Sequence, residues 1–126
     1  MPATPAASPR ALRIPALEYH QVGAHRAPYR VPLGAFVEQL DWLAANGYRT
    51  VTLAQTYDYL YAGGDLPPKP VLVTFDDGTA DQWEAVGALN ARAMQGVFFV
   101  PAQGADLSDA HLRQMVAWGH EVEAHS

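Results

Sequence analysis

Two periods of hydrophobic patterning alternate along the chain. Short apolar runs rich in β-branched and aromatic residues occupy 12–20, 48–52, 71–76, 96–100 and 121–125. Each is too short for an isolated helix and suits a strand. Pro15 is expected near the start or on an edge of the first, because proline cannot donate to a ladder. Four stretches between the runs carry helical spacing instead. In 33–46, Phe36, Val37, Leu40, Leu43 and Ala44 share one face, and Asn46-Gly47 supplies a left-handed stop. In 53–61, Thr52 or its neighbour can cap, and Tyr57, Leu60 and Tyr61 are expected to pack on a sheet. From near Thr79, Trp83, Val86, Leu89 and Ala93 follow the helical period. The last helix has Ser108 as N-cap, Asp109 against the dipole, Leu112, Met115 and Val116 inward, and Gly119 as its end. The segments 21–32 and 102–107 read as loops. Five strands alternating with four helices predict an α/β fold, a parallel sheet built from right-handed crossovers.

The run at 71–75 ends in Asp76-Asp77-Gly78. Side chains on a strand alternate between faces, so neighbouring carboxylates can serve one site only where the backbone leaves that alternation. Gly78 permits such a turn. Asp-Gly is also an ordinary hairpin turn, but a hairpin needs an alternating strand next, and here helical spacing follows. The unit therefore reads strand, turn, helix, with its carboxylates where parallel sheets place their sites. His20 and His125 also close strands, so one rim should gather Asp76, Asp77, His20 and His125. A lone His20 reads first as a hydrogen-bonded surface or core side chain and only second as a catalytic one.

Asp and His together suit zinc, cobalt, manganese, nickel or iron. A cation held by Asp77 and His125 could polarise a carbonyl and activate a water, with Asp76 as the base. Two ligands fall short of the usual three. The Asp-x-Asp-Gly-Thr motif of haloacid-dehalogenase-like phosphatases matches only in Asp77-Gly78-Thr79, because its nucleophile position holds Phe75.

Composition narrows the classes. The chain has 126 residues, 49% hydrophobic, with a formal net charge of −5 and no cysteine. One domain with a real core is expected, thiolate metal sites and disulfides are excluded, and a nucleic-acid partner is disfavoured. No apolar run reaches the roughly 18 residues of a membrane span. Residues 1–11 read as a flexible tail without the apolar core of a signal peptide, leaving 12–126 as the folded part.

Three stretches together resemble the polysaccharide deacetylase family. They are Val73-Thr74-Phe75-Asp76-Asp77-Gly78, Gly96-Val97-Phe98-Phe99-Val100 and Gly119-His120-Glu121-Val122-Glu123-Ala124-His125-Ser126. Leu17-Glu18-Tyr19-His20 and Asn46-Gly47-Tyr48 look like the branch acting on exopolysaccharides. The resemblance implies part of a distorted (β/α) barrel that removes N-acetyl groups from an acetylated amino-sugar polymer. It implies Asp76 as general base, and Asp77 and His125 as ligands of a divalent metal, zinc first. It leaves His20 and Gly78 as substrate-binding or supporting residues. It also implies a cell-envelope or secreted setting. The family's His-Ser/Thr-x-x-His motif would put its second His at position 129, and later segments would supply the general acid. The expectation is an N-terminal portion with a weak metal site, little activity by itself, and an open sheet edge through which it could self-associate. A non-catalytic sugar-binding module and an O-acetyl esterase or small-molecule amidohydrolase on the same scaffold are the alternatives.

Overall fold

The computed structural model describes residues 13–23 and 30–125, with the side chain of His125 outside that description. The expected tail, 1–11, also lies outside it. The strands are β1 (Ala16–Tyr19), β2 (Gln21–Val22), β3 (Arg30–Val31), β4 (Arg49–Thr50), β5 (Pro70–Asp76), β6 (Val97–Pro101) and β7 (Glu121–His125). The helices are α1 (Leu33–Ala45), α2 (Leu53–Tyr61), α3 (Gln82–Ala91) and α4 (Asp109–Ala117).

A parallel sheet of β1, β4, β5, β6 and β7 forms the centre, as the alternation predicts. Even residues of β5 face β1, since Leu72 N–H donates to Pro15 C=O, whereas Val71 C=O accepts from Val51 N–H. Asp77 N–H donates to Phe99 C=O, so β4 and β6 share the odd edge of β5, β4 at its start and β6 at its end. Gln95 N–H donates to Thr50 Oγ1 across the junction between them. β7 pairs with β6 and, among the described residues, with no further strand.

The core lies between this sheet and the helices. Val71, Val73, Phe75, Val97 and Phe98 are fully buried, while on the opposite face of β5 Thr74 is buried and Leu72 and Asp76 are half-buried. Phe75 stacks on Phe98 with centroids 4.4 Å apart, and Tyr19 and Phe36 close the aromatic cluster around Phe75. α1 buries Phe36, Leu40 and Leu43; α3 buries Ala85, Val86 and Leu89. Thr52 and Ser108 both cap as expected, each in a reciprocal box, with Gln55 and His111 respectively.

Four expectations are corrected. Tyr57 and Tyr61 are 65% exposed and pair with each other, because α2 presents that face to solvent. Val116 is also exposed, and Met115 alone is buried on α4. α3 begins at Gln82, and Ala93 lies beyond its end with φ 54°, closing the helix instead of extending its stripe. The 21–32 loop contains the short β2–β3 pair, joined at Gln21–Arg30 and Val22–Val31. Arg30 explains this pair, since its guanidinium ties Asp81 and donates to Gln21 Oε1 at 2.7 Å.

Candidate active site

The carboxyl ends of β1, β5, β6 and β7 lie at one rim. Asp76 is the last residue of β5, in register with Phe99 of β6, and Phe99 is in register with Glu123 of β7. His125 pairs with Pro101, two residues further along. Its backbone is therefore level with the turn after Asp76, two strand spacings away, roughly 10 Å. The position of its imidazole is outside the described structure.

The turn shows how two adjacent carboxylates leave the strand alternation. Asp77 has φ 80° and Gly78 has φ 61°, so two successive left-handed residues swing the chain off the sheet. The left-handed region is uncommon for residues other than glycine, and Asp is among those that tolerate it best. Asp76 stays partly buried while Asp77 is exposed. Gly78 is buried, and its carbonyl accepts from Asp106 and Leu107 N–H at 3.1 and 3.2 Å, which pins the 102–107 loop onto the rim. A Cβ at Gly78 would meet Val100 Cγ1 at 3.1 Å. Shape and backbone angle thus both demand glycine here.

His20 Nε2 lies 3.6 Å from Asp76 Oδ2. Below this pair, Gln82 Nε2 donates to the carbonyls of His20 and Asp76 at 2.6 and 2.7 Å. Tyr19 OH donates to Gln39 Oε1, and burial pushes that phenol above its usual range. Two clefts flank the turn. One, of about 370 Å³, is lined by Pro101, Ala105, Leu107, Leu112 and Glu123. The other, of about 450 Å³, is lined by Gln21, Arg30, Thr79, Trp83, Glu84 and Asp106.

Of the residues expected at the site, the structure brings Asp76 and His20 into contact, with Asp77 next and Gly78 buried in the turn. Among the described residues no three His, Asp or Glu side chains gather as a metal site. By residue type, the Asp77 carboxylate and the imidazole of His125, whose backbone alone is described here, are a hard and a borderline ligand that fit a divalent cation by chemistry.

Three residues escape a sequence reading, Gln82 at this rim and His120 and Glu121 at the opposite, amino end of the strands. Gln82 is fully buried, and with Ala85, Val86 and Leu89 it completes an i, i+3, i+4, i+7 stripe. A polar residue in the first position of a buried stripe was the available signal. His120 is buried behind β6, where Nδ1 accepts from Gly96 N–H and Nε2 faces Asn90 Oδ1. Glu121 accepts from Leu53 and Ala54 N–H at the start of α2. Neither partnership leaves a local pattern.

Comparison with known proteins now gives the class. The polysaccharide deacetylase family model matches residues 63–126, half of the chain, and the chain belongs to that family. It is 38% identical over 88 residues to the poly-β-1,6-N-acetyl-D-glucosamine N-deacetylase of Escherichia coli K12, covering 58% of this chain and 13% of that protein. Among solved structures, IcaB from Ammonifex degensii is 34% identical with a TM-score of 0.77, over 89% of this chain and 52% of that one. A Streptococcus pyogenes deacetylase, PplD, solved with acetate, shares the fold with a TM-score of 0.82 at 23% identity, over 94% of this chain and 57% of that one. The chain thus spans about half the length of these solved structures, and its parallel β/α units are part of a (β/α) barrel.

Proposed function

We propose that the protein carrying this chain hydrolyses N-acetyl groups from a polymer of acetylated glucosamine. Family membership supports the class, and the similarity to a poly-β-1,6-N-acetyl-D-glucosamine N-deacetylase supports the polymer. The observation that carries the reading is the turn at Asp77 and Gly78, which turns the chain off the sheet just after Asp76. Asp76, partly buried beside His20, takes the proton from the water that attacks the acetyl carbonyl. Its backbone is fixed by the β6 ladder and by Gln82, so the base is held before substrate arrives. Asp77 and His125 would hold a divalent metal, zinc first, which supplies Lewis-acid polarisation of the carbonyl when bound. The clefts on either side of the turn give a sugar chain room to lie along the rim. A polymeric substrate of this kind would suit a reaction at the cell envelope or outside the cell.

The test is acetate release from an N-acetylglucosamine oligomer, run beside an O-acetylated xylan. Release from the first and little from the second is expected. Preferential release from the xylan would contradict the amide assignment.

A further inference from the structure

We propose that Gln82 is a positioning residue whose buried amide locks the ends of β1 and β5 together and so fixes Asp76 itself, with His20 beside it, at the rim. The proposal rests on the reading of Asp76 as base. The β1–β5 register ends at the pair Tyr19–Phe75. His20 follows the end of β1, and Asp76 is the last residue of β5. Gln82 spans the two. One nitrogen donates both of its hydrogens, one to each carbonyl, at 2.6 and 2.7 Å. The orientation of the amide follows from chemistry: turned over, Oε1 would face two carbonyl oxygens with nothing to share.

The side chain is fully buried, so the bridge operates away from competing water. It sits at the first residue of α3, so the turn through Asp77 and Gly78 delivers it beneath the pair it serves. An apolar residue would suit the stripe of Ala85, Val86 and Leu89 better for stability alone, because a buried amide must recover its desolvation. Only half of this amide does so: Oε1 meets no donor among the described residues. The imidazole–carboxylate contact of 3.6 Å leaves little slack, and separation of the strand ends by 1 Å would open it beyond ion-pair range. Displacement on that scale at a reacting group can cost on the order of 100-fold in rate.

The experiment compares Gln82→Met with the wild-type protein in acetate release from an N-acetylglucosamine oligomer, with Asp76→Asn as reference. Methionine keeps length and volume and removes the donor. The expected result is a fall in kcat of at least about ten-fold with KM within about two-fold. An unchanged kcat, or a change confined to KM, overturns the proposal. If Asp76→Asn itself retains activity, the base assignment fails and the proposal falls with it; if Asp76→Asn is inactive and Gln82→Met is not, only the proposal falls. Should Gln82→Met not fold, nuclear magnetic resonance on the wild-type 126-residue chain decides. Scalar couplings from the Gln82 side-chain nitrogen to the carbonyl carbons of residues 20 and 76 are expected, and their absence overturns the bridge.

Discussion

His20 Nε2 and Asp76 Oδ2 face each other at 3.6 Å across the ends of two parallel strands, with side chains 44% and 23% exposed. The pair is wet enough that its electrostatic coupling is modest, on the order of 1 kcal/mol or less. His20→Gln should therefore lower acetate release by roughly five-fold or less. A loss as large as that of Asp76→Asn would instead make His20 a direct participant in the chemistry.

His120 should make the fold sensitive to mild acid. Its Nδ1 accepts from Gly96 N–H at 2.9 Å and its Nε2 lies 2.7 Å from Asn90 Oδ1, which together require the neutral ring. Burial holds its pKa below the usual value of about 6.5. Above that value the ring is neutral in both folded and unfolded chains, and its contribution is complete. As pH falls below it, the unfolded chain takes up the proton first, and stability declines until the folded ring also protonates. Denaturation midpoints measured from pH 7.5 to 5 should show this decline, and His120→Gln should flatten it while lowering stability by about 1–3 kcal/mol at neutral pH.

Gly78→Ala tests the turn. Alanine at φ 61° is strained, and its Cβ would press on Val100 Cγ1 at 3.1 Å. A loss of about 1–2 kcal/mol is expected, read as a fall in Tm of roughly 4–8 °C. The loop held by the Gly78 carbonyl should also exchange its Asp106 and Leu107 amides faster.

Glu121 joins the last strand to the second helix. Its carboxylate accepts from Leu53 N–H at 2.7 Å and from Ala54 N–H at 3.0 Å, beside the Thr52–Gln55 box. Glu121→Gln keeps the shape and one acceptor but removes the charge at the positive end of α2. A loss of about 1 kcal/mol in chemical denaturation is expected, shrinking at high salt.

Much of this architecture was legible because it is local. Apolar runs marked the sheet, and Thr52, Ser108, Asn46-Gly47 and Gly119 marked helix ends through chemistry confined to a few residues. The carboxylates at 76 and 77 were legible for the same reason, since a strand that meets Asp-Asp-Gly has to turn. What stayed hidden depends on distant partners. Gln82 owes its role to a carbonyl 62 residues away in sequence, and Glu121 to a helix start 68 residues away. The tyrosines of α2 failed as core markers because aromatic residues at helical spacing do not say whether a neighbouring layer covers them. In this sheet β4 is only two residues long, and the face of α2 carrying Tyr57 and Tyr61 is left to solvent.

The catalytic account turns on the carboxylate of Asp76. Acetate release from an N-acetylglucosamine oligomer by Asp76→Asn, in protein whose Tm matches the wild type, measures it directly. Removal of the proposed base should reduce kcat by about 100-fold or more. Turnover at the wild-type rate from that variant would contradict the account.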